Sequence, residues 1–554
     1  MKKIEESIAK YIISELSKVG VKTYFGVQGG ACAHLIHAAA SNTSTKYIPV
    51  LNEQTAGLYA HGAYMSSGEV CGIIVTTGPG FFNAVTGIAA CYFDHVPIVV
   101  LCGQMNAAGN LATNFGTKMY GFQEADHAEM AKTISSKVIR VKDRASLTQA
   151  LSLIRSLKTI DGPLFLEIQD DLQRKLSKDF LGEFDGIEKS EVQISPKEAP
   201  KKIMEIINQS LKPLMLIGAG VNQKDFAEYN DISKKHNIPI IFSWGGQKYN
   251  QYSNKLHQGI FGNHSPGRAN DLIKEADLII AVGISLLQHQ VGKDHKKFAP
   301  LAKILFINNN HNECSRFKSE FGLRAFPLNI DAKILIDFLI SIKLKNKIWI
   351  GKYWKSQDKQ AHNLTHINEA VKCLMMVLEK SPKNSAIFSD AGATLSWTYQ
   401  AANLVKTPPI YTSFNLHTMG YAVPASNGAS YVNSEKLIIS ISGDGGFMMN
   451  LQELAQTNGR KIKTIILDND GYGIIRQTQD EYLSGDHFGS SMNNKISPLP
   501  RYNAYELIKA FGIPTQTCTL LTLEKSIKWL FSTNESSGLV IKIGKELKVQ
   551  GVGI

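Results

Sequence analysis

The residues of this sequence best suited to chemistry are an aspartate and an asparagine at the ends of two neighbouring apolar runs. Leu437–Ile441 is short and β-branched, as a buried strand is, and it stops at Ser442-Gly443-Asp444-Gly445-Gly446. A helix-like stretch, Met449–Thr457, separates it from a second run, Thr464–Leu467, which ends in Asp468-Asn469-Asp470-Gly471. Two strand ends therefore deliver Asp444 and Asn469 to one sheet edge. Hard cations such as Mg2+ or Ca2+ take oxygen ligands, and the Asp444 carboxylate, the Asn469 amide and the Gly471 carbonyl supply three. Phosphate oxygens and water suit the remaining positions, and Gly445 and Gly446 let backbone N–H groups approach a phosphate at a helix N-terminus. Alone, GDG is a tight turn with an aspartate cap. The flanking strands and the second oxygen cluster make it a site for a divalent cation and a diphosphate.

The order GDG, spacer, Asn resembles the motif of the enzymes that use thiamine diphosphate (thiamine pyrophosphate, ThDP). Here 23 residues lie between Gly445 and Asn469. That is slightly short for the family, the difference falling in the turn Asn458–Lys463. The family usually has Asn-Asn where this chain has Asp468-Asn469; the second residue is the ligand, so the site is kept. The resemblance adds Gly443 and Tyr472 to the cofactor contacts.

These loops need sheets to hold them. A chain of 554 residues is too long for one core and suits about three domains, and 44% hydrophobic with 19% charged residues is ordinary for a globular protein. Strand-like and helix-like segments alternate along it, so the expected class is α/β, three domains each with a mainly parallel sheet flanked by helices. Residues 1–175 form the first, 199–340 a central one and 361–545 the third, with charged or lysine-rich linkers at 176–198 and 343–360.

In the first domain, Thr23–Val27 leads into Gln28-Gly29-Gly30, where a turn can come close to a ligand, and Tyr47–Leu51 leads into Asn52-Glu53. Glu53 thus stands at a carboxyl strand end, where open α/β sheets bind ligands. Cys71–Thr77 ends in Gly78-Pro79-Gly80 and Val96–Cys102 in Gly103-Gln104. This succession resembles the pyrimidine-binding domain of the ThDP enzymes. It implies that Glu53 is the catalytic acid, sharing a proton with the aminopyrimidine ring, and that Gly78 and Gly80 line the cofactor. Phe122-Gln123-Glu124-Ala125-Asp126 is similar to the acetolactate synthase branch and implies Gln123 beside the reacting centre. In the third domain the resemblance places Ala393 and Thr394 at a first diphosphate loop, Thr418 beside the cofactor, and Met419 as the apolar wedge that bends it.

The middle domain is expected to be structural. Gly218-Ala219-Gly220 is only a fragment of a dinucleotide fingerprint. Acetolactate synthases hold a non-redox FAD there with a Gly-Met-His-Gly loop and an arginine cluster; this chain has Gly262-Asn263-His264-Ser265 and Ile284-Ser285-Leu286-Leu287-Gln288, so FAD is not expected.

The activity implied is decarboxylation of a 2-oxo acid, pyruvate first, followed by capture of the resulting enamine. Pyruvate decarboxylase-like relatives carry an acid where this chain has Gly30, and a histidine pair in the region that here reads Gly109–Phe115. With both missing, ligation to a carbonyl acceptor is favoured over protonation. Thr478 stands where acetolactate synthase has a tryptophan at the acceptor pocket, which suggests a larger acceptor; Gln28 and Gly30 complete the tentative substrate set. Simple decarboxylation, C–C cleavage of a diketone and an inactive scaffold are the alternatives. A net charge of +12 without an aromatic-interleaved basic patch excludes nucleic acid as partner and favours small anions. Seven scattered cysteines without a C-x-x-C pair, and no membrane-length apolar run, point to the cytoplasm. The family's architecture implies a homodimer or homotetramer with active sites between subunits.

Overall fold

The computed structural model describes residues 6–107, 116–180, 205–250, 254–262, 265, 268–292, 294–341, 349 and 367–550. Among the described residues the apolar runs become eighteen strands in three six-stranded sheets, and the strands of each sheet pair in parallel. Parallel strands are covered on both faces by helices, which is why Leu164–Gln169 and Ile462–Asp468 are buried along nearly their whole length and not at alternate residues. The first sheet holds β1 (Thr23–Gly26), β2 (Lys46–Pro49), β3 (Gly72–Val75), β4 (Val99–Gln104), β5 (Lys137–Val141) and β6 (Leu164–Gln169) in the order β2-β1-β3-β4-β6-β5. The central one holds β7 (Pro213–Ile217), β8 (Ile240–Phe242), β9 (His257–Ile260), β10 (Leu278–Val282), β11 (Lys303–Asn308) and β12 (Ala325–Asn329), ordered β12-β11-β10-β7-β8-β9. The third holds β13 (Ser385–Ser389), β14 (Ile410–Tyr411), β15 (Leu437–Gly443), β16 (Ile462–Asp468), β17 (Thr515–Cys518) and β18 (Ser537–Lys542), ordered β14-β13-β15-β16-β18-β17.

The first and third sheets therefore share one strand order. In each, the winding reverses beside the first strand, and the carboxyl ends there open a crevice for a ligand. The two sheets are joined through helices: Glu53–Ser67 packs on Ala422–Val432 so closely that a Cβ on Gly62 would lie 2.1 Å from the Ala425 carbonyl oxygen, and one on Gly428 2.0 Å from that of Tyr59. Only glycine permits that approach.

Two local expectations need correction. The helix expected from Met449 begins at Asp444: Asp444–Phe447 is α-helical, Met448–Glu453 is a 3₁₀ segment kinked at Asn450 (φ −133°, ψ 35°), and Leu454–Thr457 is helical again. Glycines carry no apolar periodicity, so the pattern could not show a helix starting inside GDGG. The second strand ends at Pro49 and not Leu51, because Asn52 caps the next helix by accepting from the Gln54 N–H. All seven cysteines are free and buried. Among the described residues no helix is long and apolar enough to cross a membrane.

Candidate active site

The third sheet builds the half of the candidate site expected from the sequence to face the diphosphate. The loops after β13 and β15 are adjacent, and buried Asp390 ties them together. Its carboxylate accepts from the Ser442 hydroxyl, from the Ala391 N–H at 2.8 Å and from the Gly420 N–H at 2.9 Å. Ala393 and Thr394 open the helix Ala393–Ala402, and Thr394 Oγ1 lies 3.0 Å from where a Gly443 Cβ would be. Gly446 rests against Asp390, and the Tyr472 ring covers Gly445. Met419 is half-buried between two residues of left-handed backbone, His417 (φ 52°) and Gly420 (φ 78°), with Thr418 buried beside it. Behind His417 stand Trp244 and His289 of the central domain, and burial lowers the His289 imidazole to about 4.

Asp444 is 1% exposed. Its Oδ1 accepts from the Gly445 N–H at 3.0 Å and its Oδ2 from the Gly471 N–H at 2.8 Å. Burial, then the charge of Asp468, push its carboxyl up to about 7. Asp468 itself turns away to Lys542. The Asn469 amide lies between the Gly471 carbonyl and Arg476: its nitrogen donates to that carbonyl at 2.8 Å and its oxygen accepts from Arg476 at 3.1 Å. The donor set is all oxygen, as Mg2+ or Ca2+ requires. Among the described residues no three His, Cys, Asp or Glu side chains gather as a metal cluster, so the cation site expected from the sequence would rest on one carboxylate, one amide and one carbonyl.

The first sheet brings Glu53, Gly78, Gly80 and Gln123 together. Glu53 starts its helix and accepts from Asn83 Nδ2 at 3.1 Å, and a Cβ on Gly80 would lie 3.4 Å from its Oε1. Gly78 has φ 61°, and Gln123, φ 57°, is held over it by its carbonyl, which accepts from the Thr77 hydroxyl at 2.9 Å. Gln28 and Gly30 are exposed in the loop after β1. Thr478 is exposed on the helix Gly473–Tyr482 and bonds back to the Ile474 carbonyl at 3.0 Å. Glu53 is only half-buried, and among the described residues its hydrogen-bond partner is Asn83 of its own domain. Among the described residues no hydrogen bond joins Glu53 to Asp444. In the same domain as Glu53, Leu51, Phe82, Met119, Tyr120 and Phe122 are exposed, the last 73%.

The composition signals missed Glu453. Fully buried, it reaches from the segment after Asp444 into the first domain, accepting from the Leu51 N–H at 3.1 Å, the Thr55 hydroxyl at 2.7 Å and the Tyr59 hydroxyl at 2.7 Å. The one hint was an acid in Gln452-Glu453-Leu454, among apolar neighbours. Glu453→Ala should cost about 3–5 kcal/mol, since three buried donors lose their acceptor at once. A denaturation midpoint within error of the parent's would contradict that.

A cavity of about 920 Å³ lies where the three domains meet, lined by Ala219, Gly220, Trp244 and His289 of the central domain, His95 of the first and Phe414 of the third, among others. Ala219 and Gly220 belong to the fragment of a dinucleotide fingerprint read in the sequence. Asn263 and His264, like the stretch Gly109–Phe115, lie outside the described residues.

Comparison with known proteins agrees with this layout. Models of the thiamine pyrophosphate enzymes match in chain order: the N-terminal TPP binding domain at residues 6–130, the central domain at 200–330 and the C-terminal TPP binding domain at 390–541. The acetolactate synthase large subunit of Lactococcus lactis subsp. lactis is 28% identical over 504 residues, covering 87% of this chain and 84% of that protein. Isozyme 1 of the same subunit from Escherichia coli is 26% identical over 529 residues, 92% of this chain and 89% of its own. The protein named "Probable acetolactate synthase large subunit" in Methanocaldococcus jannaschii is 30% identical over 522 residues, 87% and 84% of the two chains. The chain is an enzyme acting on carbon–carbon bonds, a transferase, and it belongs to the thiamine pyrophosphate enzymes, in their acetolactate synthase-like branch.

Proposed function

We propose that the protein is a Mg2+- and ThDP-dependent carboligase that decarboxylates a 2-oxo acid, pyruvate in the first instance, and adds the remaining fragment to a carbonyl acceptor. The observation that favours ligation over plain decarboxylation is the open ground at Gly30: it is exposed, and a Cβ there would meet no atom within 4 Å. No acid stands at the place from which decarboxylating relatives deliver a proton.

When bound, ThDP supplies an electron sink for the charge left by loss of carbon dioxide. Asp444, Asn469 and Gly471 would hold the Mg2+, with the N–H groups of Gly445 and Gly446 and the loop at Ala393 and Thr394 toward the diphosphate. Met419 would support the bend. Glu53 would share a proton with the pyrimidine ring, Gly78 and Gly80 would pack beside it, and Gln123 would stand by the reacting centre. The central domain is assigned no FAD, since the loops expected to carry flavin-binding arginines lack them; the purified protein should show no flavin absorbance.

The half-buried Glu53, in a domain that leaves Leu51, Phe82 and Phe122 exposed, supports a homodimer or homotetramer in which the third domain of a second copy covers it. Seven buried, unpaired thiols support a cytoplasmic setting.

The direct test supplies pyruvate, ThDP and Mg2+ with and without aldehydes and ketones, and follows carbon dioxide and products. New carbon–carbon bonds uphold the reading; acetaldehyde alone with every acceptor makes the protein a decarboxylase. Thr478→Trp should then narrow the acceptor range toward small 2-oxo acids. The kcat/KM ratio between large and small acceptors should move by about 1–3 kcal/mol, the scale on which pocket size discriminates.

A further inference from the structure

His127 takes no part in the chemistry above, yet it is fully buried and holds the turn that faces Glu53. The Gly78 N–H points into the first domain, away from water, and donates to His127 Nε2 at 2.8 Å. A backbone N–H can only donate, so Nε2 must be unprotonated and the ring proton sits on Nδ1. There Glu167 Oε2 accepts it at 3.1 Å, and Arg140 Nε pairs with the other Glu167 oxygen at 2.8 Å. Gln104 closes the network from β4: its amide nitrogen donates to the Ala125 carbonyl at 2.8 Å and to Glu167 at 3.2 Å, and its oxygen accepts from the Thr77 hydroxyl at 3.0 Å. The faces of the imidazole are closed by Phe81, at 5.2 Å between ring centres, and Phe82, at 6.1 Å.

The turn needs this hold. Gly78 and Gln123 both have left-handed backbone, and they meet: a Cβ on Gly78 would lie 2.7 Å from the Gln123 carbonyl oxygen. Gln123 is not glycine, so its left-handed conformation is strained and persists only where its surroundings impose it. Gly80, two residues on, packs against Glu53. We propose that His127, backed by Glu167, is a positioning residue: in its neutral, Nδ1-protonated form it fixes Gly78–Gly80 and Gln123 as one unit against Glu53. The inference rests on the ThDP reading for its consequence in catalysis, but the hold itself is a property of the ligand-free chain.

The experiment accordingly has two readouts. Amide hydrogen exchange by mass spectrometry on the ligand-free protein reads the turn, and calorimetric titration with ThDP and Mg2+ reads the site. His127→Leu removes the acceptor. Glu167→Gln keeps the volume but offers an amide N–H to Nδ1, which drives the ring proton to Nε2 and against the Gly78 N–H. His127→Gln returns an oxygen near the Nε2 position and serves as rescue. In the first two, the peptide across Gly78–Phe81 should exchange at least about tenfold faster, as loss of one buried hydrogen bond allows, while peptides from β15 stay unchanged. ThDP should bind about tenfold more weakly and kcat should fall with the KM for the 2-oxo acid little altered; His127→Gln should recover most of each. Parent-like exchange at the turn in Glu167→Gln overturns the proposal even where His127→Leu unfolds the whole chain, and so does a His127→Gln protein no better than His127→Leu. Failure of the parent to bind ThDP would instead overturn the functional reading and leave the exchange result standing.

Discussion

Replacing Asp444 with alanine should abolish binding of the divalent cation and, with it, of ThDP. The side chain is the sole charged member of the proposed donor set; the other two members are an amide and a backbone carbonyl. Burial holds the Asp444 carboxyl near pKa 7, so the fold gains little from its charge until a cation meets it. Removing it leaves a dication facing neutral dipoles in a water-poor crevice, a loss of roughly 3–5 kcal/mol, or two to four decades of affinity. Calorimetric titration with Mg2+ and ThDP measures this directly. Asp444→Asn serves as the control for folding, because its oxygen can still accept from the Gly471 N–H while carrying no charge. Full activity of Asp444→Ala in chelator-treated buffer would remove the cation from this place.

What the sequence made legible follows how local each signal is. Asp444, Asn469 and Glu53 could be placed because each ends an apolar run, and a strand end in a parallel sheet is a fixed address. Three sheets flanked by helices could be expected from the alternation of run lengths alone. The start of the helix at Asp444 was hidden because Gly445 and Gly446 add no periodicity. Glu453 was hidden for a different reason: its partners Leu51, Thr55 and Tyr59 lie some four hundred residues away in sequence, and no local pattern carries so distant a pairing. His127 was hidden because its value lies in one nitrogen meeting one backbone N–H. The shared strand order of the first and third sheets likewise exists only in three dimensions. The cavity where the domains meet shows the same limit, since Ala219, Asn309 and Asp331 converge on it from the ends of three strands, with His95 and Phe414 from the other two domains.

Glu53→Gln should still bind ThDP and lose most of its turnover, roughly 10²–10⁴-fold, the range over which a positioned acid or base contributes. Binding should survive because an amide keeps the size of the side chain and its contact with Asn83, whose Nδ2 donates to Glu53 at 3.1 Å. Turnover should not, because an amide cannot share the proton that the carboxyl passes to the pyrimidine ring. The exchange rate of the thiazolium C2 proton, followed by NMR, separates the two effects; an unchanged rate would move the catalytic acid elsewhere. The same variant tests the assembly. Among the described residues no hydrogen bond joins Glu53 to Asp444, and if the sites form between subunits, each would take Glu53 from one copy and Asp444 from the other. In a mixed dimer of Glu53→Gln with Asp444→Ala, one site then carries both substitutions and its twin carries neither. Random exchange makes about half the dimers mixed, so two inactive preparations should regain about a quarter of the parent's activity when mixed. A fully active monomer at low concentration would contradict this arrangement, and mixtures that stay inactive despite proven subunit exchange would place both residues in one chain's own site.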